Sequence, residues 1–444
     1  MSDPRHTGQP AVRVKWFVGR HDKPSAARVN RPAARHHAAS AALFLSLALP
    51  LLAPAAHAQA NDTQNFALIE RGRYLTIVGD CTACHTAPGG KYLAGGRAIE
   101  TPFGNLVAPN ITPDQATGIG GWSNEKFYNA MHIGVGDAHL YPAMPYPAYT
   151  KVTRDDVMAI RAYLNTVQPV QNNVRANLLP FPFNVRAGMI GWDDLFFKAG
   201  DWQNRADKSA EWNHGGYLVE GLGHCGTCHT PKNALGGDEN SHHLQGYALQ
   251  GWFAPDITGD KRVGVGAWSV DDIVEYLKTG ANRFTEASGP MAEEIADSTS
   301  HWTVADLHAA ATYLLDQPGP NQAPPHALPA QDPVMRAGGA IFADECAACH
   351  TDGGAGIARI FPSLKGSAFV QQSNPASLLH VVLRGTRAVA TAEAPTGPAM
   401  PAFDWKLSDE QVASVVTFIR NAWGNAAPPV SAAEVSSARN GVGE

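Results

Sequence analysis

This 444-residue chain contains six cysteines, and all six sit in three copies of one five-residue pattern. Cys81-x-x-Cys84-His85 lies in "GDCTACHT", Cys225-x-x-Cys228-His229 in "GHCGTCHT" and Cys346-x-x-Cys349-His350 in "DECAACHT". Two thiols one helical turn apart can each close a thioether on a haem vinyl group, and the adjacent histidine then lies under the iron. This is the attachment pattern of c-type haem. Competing chemistries ask for more than the chain offers. A zinc site needs two further N/S ligands after each cysteine pair. A dithiol redox pair belongs in a βαβ context, and structural disulfides do not call for a histidine after every pair. The pattern predicts three covalently bound haem c groups, held through Cys81, Cys84, Cys225, Cys228, Cys346 and Cys349, with His85, His229 and His350 as proximal iron ligands.

Haem iron in electron-transfer proteins commonly takes methionine as its sixth ligand, which raises the potential. One methionine follows each pattern in a proline-bounded loop: Met144 in "YPAMPYP", Met291 in "SGPMAEE" and Met400 in "GPAMPAF". They lie 59, 62 and 50 residues beyond their histidines, a similar reach that predicts one shared role. His139 is a rival sixth ligand for the first haem. Met131 and Met158 fall in helical patterns and read as core, while Met189 and Met335 fall outside these loops. A proximal histidine also needs its second ring nitrogen satisfied, and the backbone at Pro109, Pro255 and Pro362 stands at matching positions for that task. The glycine-rich "TGIGG" and "GVGVGAW" follow no strand, so they do not read as phosphate or dinucleotide loops.

The elements that must position these residues also repeat. "GRYLTIVGDCTACHT" aligns with "GGYLVEGLGHCGTCHT", and "APNITPDQATGIGGWS" with "APDITGDKRVGVGAWS"; a third, diverged unit opens on "GGAIFADECAACHT". Each unit closes on Ser or Thr followed three residues later by Asp or Gln and then apolar residues spaced three and four apart: "VTRDDVMAIRAYLN", "WTVADLHAAATYLL" and "LSDEQVASVVTFIR". Those are capped amphipathic helices. With no convincing alternating strand pattern, the expected fold class is all-α. The expected organisation is a leader over 1–58, modules over 62–170, 205–318 and 333–425, a packed connector over 171–204, a stiff proline-rich linker over 319–332 and a polar tail over 426–444.

The leader pairs a basic run with the apolar "AALFLSLALPLLAPAA" and an Ala56-His57-Ala58 site, the pattern of a secretory signal peptide. Its apolar run is shorter than the roughly 20 residues a spanning helix needs. The first 58 residues carry eight Lys or Arg and two Asp or Glu, so cleavage after Ala58 takes the net charge from −6 to −12. An acidic chain with no basic patch repels phosphate backbones, which excludes nucleic acid as a partner. A soluble exported protein, or one held at a membrane by a partner, is expected.

With the haem patterns, loop methionines and "GIGGWS" assembled, the chain strongly resembles the tri-haem cytochrome c subunits of bacterial periplasmic membrane-bound dehydrogenases acting on alcohols, gluconate, sorbitol, fructose or aldehydes. The resemblance spans the mature chain and is most specific in "GDCTACHTAPGGKYLAGG", "YPAMPYPAYTK", "SAEWNHGGYLVEGLGHCGTCHTPKN" and "GPMAEE". It implies three tandem class I cytochrome c domains with His/Met-ligated haem, here His85 with Met144, His229 with Met291 and His350 with Met400. It further implies a separate catalytic subunit of quinoprotein, flavoprotein or molybdenum type as electron donor. Ubiquinone or a terminal oxidase is the implied acceptor, at the periplasmic face of the inner membrane. A free periplasmic carrier and a self-sufficient haem oxidoreductase are the alternative readings.

Overall fold

A computed structural model describes residues 65–320 and 323–441; the leader expected over 1–58 lies outside the described residues. The first module runs through α1 (Phe66–Val78), α2 (Cys81–His85), β1 (Ala98–Thr101), β2 (Gly104–Val107), α3 (Asn124–His132), α4 (Tyr146–Tyr149) and α5 (Arg154–Leu164). A connector carries α6 (Gly188–Phe196). The second module repeats the order with α7 (Ala210–Glu220), α8 (Gly226–His229), β3 (Tyr247–Leu249), β4 (Trp252–Ala254), α9 (Val270–Thr279), α10 (Pro290–Asp297) and α11 (Val304–Leu315). In the third module come α12 (Pro333–Glu345), α13 (Ala347–His350), α14 (Ala376–Arg384), β5 (Thr386–Arg387), β6 (Ala399–Met400), α15 (Asp409–Asn421) and α16 (Ala432–Gly441).

Each module is built on a crossing of its first and last long helices, α1 on α5, α7 on α11 and α12 on α15. The caps expected on the closing helices are present: Thr153, Thr303 and Ser408 accept from the backbone N–H of Asp156, Asp306 and Gln411. At each crossing one glycine lets two backbones meet. A Cβ on Gly72 would stand 1.8 Å from the Ala159 carbonyl oxygen, on Gly215 1.9 Å from that of Ala309, and on Gly338 2.1 Å from that of Ser414. No side chain fits at such distances, so the helices cross where the sequence has glycine.

Among the described residues, three two-stranded antiparallel hairpins overturn the all-α expectation. β1 pairs β2 with Ala98 opposite Val107, β3 pairs β4 with Tyr247 opposite Ala254, and β5 pairs β6 with Thr386 opposite Met400. Strands of two to four residues are too short for period-two alternation to show, because that signal needs a run of about four to eight. The turn chemistry was the readable clue. Gln250 and Gly251 both have positive φ, 49° and 75°, which is the two-residue hairpin turn that matches strand twist.

The first two modules share one apolar core, in which Leu75, Val78 and Ile160 join Leu218, Leu222, Trp302 and Leu307. Equivalent residues reach across their boundary in both directions. The Tyr217 hydroxyl donates to Asp156 at 2.6 Å and accepts from the Thr153 N–H at 3.2 Å. Tyr74, its counterpart, donates to Asp306 and accepts from the Thr303 N–H at 3.0 Å. Such an exchange of the same patch in both directions is the signature of an approximate two-fold contact. The third module has its own core around Phe342, Leu383, Val412 and Val416. In the stretch read as a polar tail, α16 packs on that core through Val435, and Arg439 reaches Asp409 at 2.8 Å.

The connector bridges the paired modules. Asp193 on α6 accepts from the Tyr146 hydroxyl at 2.5 Å, and the Trp192 indole N–H donates to the Leu235 carbonyl at 2.9 Å. Among the described residues no helix is long and apolar enough to cross a membrane.

Candidate haem sites

The three Cys-x-x-Cys-His patterns fold into the short helices α2, α8 and α13, each directly after a module's first long helix. Within each turn the histidine side chain is turned inward, and His85, His229 and His350 are all buried. Their Nδ1–H groups donate to the carbonyls of Pro109 at 2.8 Å, Pro255 at 2.7 Å and Pro362 at 3.1 Å. These are the backbone contacts that the matching prolines predict. Burial lowers the pKa of all three rings against the opposing pull of the carbonyl bond. The imidazoles are therefore kept neutral, with Nδ1 engaged and the Nε2 lone pair free for a metal, the arrangement that orients a histidine ligand.

The hairpins explain how the prolines arrive there. β2 ends at Val107 and delivers Ala108 and Pro109 to His85, while β4 ends at Ala254 and delivers Pro255 to His229. In the third module a bridge between Ile357 and Phe361 takes that place, and its hairpin instead carries Met400 on β6.

None of the six cysteines is joined to another in a disulfide. Burial pushes Cys81 and Cys84 up to about 12 and Cys228 and Cys346 up to about 11, and raises Cys225 as well.

A single cavity of about 2220 Å³ runs through the first two modules. It is lined by Cys81, Cys84, His85 and Met144 from one and by Cys225, Cys228, His229 and Met291 from the other. Ordinary small-molecule pockets reach roughly 1,000 Å³, so this volume matches two large groups in one chamber. Its walls are mostly apolar, with Ile111, Phe127, Ile160, Leu277 and Phe253 among them, suited to a flat macrocycle. Four buried polar atoms with no hydrogen-bond partner, Asp80 Oδ1, His224 Nδ1, Asp256 Oδ2 and Glu286 Oε1, belong to residues of the same wall. These donors, thiols and apolar walls fit covalently attached haem. Cys346, Cys349, His350 and Met400 lie outside this cavity, grouped in the third module.

Sequence spacing brings Met144 and Met291 to the same chamber as their histidines but leaves other features unread. His139, the rival ligand, is engaged by Asp193 at 3.2 Å and does not line the cavity. Met131 and Met189 do line it, although the sequence places one in the core and the other outside the loops. Residues from Leu179 to Phe196 form part of the wall, so the apolar face of the connector serves the cavity. Asp80 and His224, each immediately before a first cysteine, adopt positive φ of 44° and 37°. Burial, reinforced by Glu294, holds the Asp80 carboxyl far above the usual carboxylate range. A polar hub also escaped the sequence: Glu220 on α7 takes Lys151 of the first module at 2.8 Å and His243 at 2.6 Å.

Comparison with known proteins agrees with this geometry. The family model for Cytochrome c matches residues 69–168 and 335–423. The chain is 39% identical over 425 residues to a gluconate 2-dehydrogenase cytochrome c subunit of Pantoea cypripedii, covering 89% of this chain and 94% of that one. It is 37% identical over 418 residues to the cytochrome c subunit of an alcohol dehydrogenase (quinone) of Gluconacetobacter polyoxogenes, covering 89% of each. A fructose dehydrogenase cytochrome subunit of Gluconobacter japonicus is 38% identical over 406 residues, covering 84% of this chain and 83% of that one.

Proposed function

This chain belongs to the family of dehydrogenase cytochrome c subunits, and on that premise we propose that it carries electrons over three haems from a periplasmic catalytic subunit to ubiquinone. Electron transfer as a subunit and covalently bound haem c come with the family. The count of three, the ligand assignments, the donor's identity and the acceptor are our reading.

The observation that carries the count is the threefold recurrence of one geometry: a Cys-x-x-Cys-His turn whose buried histidine hands Nδ1–H to a proline carbonyl. When bound, haem supplies a one-electron iron couple whose potential the surrounding protein sets. Cys81 with Cys84, Cys225 with Cys228 and Cys346 with Cys349 would anchor the three groups by thioethers. His85 with Met144, His229 with Met291 and His350 with Met400 would hold the three irons. With a histidine and a methionine placed to hold each iron, none of the three would offer an open site to substrate, which favours relay over independent catalysis. The shared cavity supports close passage between the first two groups.

For the partner, the printed names of the relatives support a dehydrogenase subunit, of quinoprotein, flavoprotein or molybdenum type. The leader pattern supports export to the periplasm with cleavage near Ala58, and peripheral attachment at the inner membrane follows from a membrane acceptor. The test is a native pull-down of the tagged mature protein from gently solubilised cells, with intact mass. Three haem additions and a stoichiometric dehydrogenase are expected. Fewer additions would overturn the count, and a tri-haem protein recovered alone would overturn the subunit role.

A further inference from the structure

The three loop methionines are anchored by different means. Met144 is followed by Tyr146 and Tyr149, both buried, and the Tyr149 hydroxyl donates to Gly79 of its own module at 3.0 Å. Met400 is a strand residue, paired with Thr386 in its own hairpin. Met291 sits near the start of α10, a helix of eight residues in which Ile295 alone is buried. Within its own module this helix rests on α9 and on the turn over 299–301.

What grips it from outside is Arg97 of the first module. Its guanidinium forms a two-pronged pair with Glu293, two residues beyond Met291: Nη1 meets Oε1, and Nη2 meets Oε2 at 2.8 Å. Both side chains are partly shielded, 31% and 38% exposed, and a forked Arg–carboxylate pair fixes orientation as well as distance. Arg97 is itself held in place, because its carbonyl accepts from the Ala108 N–H at 2.9 Å, next to the Pro109 that secures His85. α10 also rests on α2, the attachment turn of the first module.

The approximate two-fold between the modules does not explain the pair. Opposite Ala254 in the second hairpin, where Arg97 stands opposite Ala108 in the first, the residue is Tyr247. Two residues beyond Met144, the counterpart of Glu293 is Tyr146. A contact required by the scaffold would recur; this charged fork occurs on one side of the pair.

We propose that Arg97 is a positioning residue for the second haem, holding Met291 in place through Glu293 from the neighbouring module. The first module thereby sets the axial ligand, and with it the potential, of the second module's iron. This rests on the reading of Met291 as that iron's sixth ligand.

The two are separated by variants of the full mature protein, scored for haem number by intact mass, for the methionine-to-iron absorption band and by redox titration. Met291→Leu tests the ligand reading: loss of about a third of the band, one iron's share in three, is expected. An unchanged band would overturn that reading. Arg97→Gln then tests the positioning role. With three haems retained, one titration wave moves to lower potential and the band weakens by up to that same share. The swap Arg97→Glu with Glu293→Arg brings both back toward the parent. If Met291→Leu behaves as expected while Arg97→Gln keeps three haems and superimposes on the parent in band and waves, the inference is overturned. Should Arg97→Gln fail to assemble, Glu293→Gln is read by the same two criteria.

Discussion

Modules 1 and 2 share their apolar core and one cavity, whereas module 3 has a core of its own and keeps Cys346, Cys349 and His350 outside that cavity. The joints differ in kind. Between 1 and 2, the same residues act twice, Tyr74 on Thr303 and Asp306, Tyr217 on Thr153 and Asp156. Between 2 and 3, each contact is of its own sort: Ser377 clasps the backbone of Phe253, Gln372 donates to the Val263 carbonyl at 2.6 Å, and Trp252 stacks on His380 with centroids 3.9 Å apart. Two similar copies can bury a self-complementary surface, and a diverged copy has to meet its neighbour through dissimilar residues. Duplication followed by unequal divergence thus leaves a fused pair and an appended unit.

The hardest test of that contrast is at the helix crossings. Gly215→Ala forces a Cβ to within 1.9 Å of a backbone oxygen and should destabilise by about 2–3 kcal/mol. Because the pair shares a core, thermal melting followed by haem circular dichroism should show the first two modules failing together. Gly338→Ala should cost a similar amount and leave the pair intact. Independent melting of modules 1 and 2 would break the comparison.

Removing one hydroxyl from either side of the two-fold contact should have a smaller effect. Tyr74→Phe and Tyr217→Phe are each expected to destabilise the pair by about 1–2 kcal/mol in chemical denaturation, with the third module's transition unmoved. A loss on one side only would show that the contact is not reciprocal in energy.

Acid should act on the pair through Glu220. Burial pushes this carboxyl upward, but the hydrogen bond from His243 and the charge of Lys151 outweigh burial and hold it at about 2. A carboxyl depressed in the folded state contributes stability that is fully present above its unfolded value of 4.5 and is lost as pH falls toward about 2. The pair's denaturation midpoint should fall across that window, and Glu220→Gln should flatten the dependence. A wild-type profile in the Gln variant would remove Glu220 from the account.

The smallest effect is expected where the third module meets the second through an exposed ion pair. Arg359 reaches Glu275 at 2.7 Å with its side chain 70% exposed, so Arg359→Gln should change stability by less than about 0.5 kcal/mol. A larger loss would mean that the joint depends on this pair and is tighter than its exposure implies.

Much of the candidate site could be read from the chain because it is local. Cysteine spacing, the following histidine and the closing-helix caps each act within about one helical turn. The prolines behind the histidines were legible because the modules repeat, which turns one ambiguous loop residue into three matching ones. Hairpins were missed because their strands are shorter than the alternation that reveals a strand. Met189 on the connector was placed outside the methionine loops because nothing in its own neighbourhood points to the cavity it lines.

By itself, then, the sequence determined where the Cys-x-x-Cys-His turns fall, which prolines stand behind their histidines and where the closing helices are capped, all set by short-range patterns and their repetition. Only the tertiary structure decided which modules fuse, that two sites share one chamber, and that Met291 is held from next door. The Tyr74–Asp306 and Arg97–Glu293 pairs join residues 232 and 196 positions apart. No local period records such pairings; they exist because burial of shared apolar surface brings those positions together.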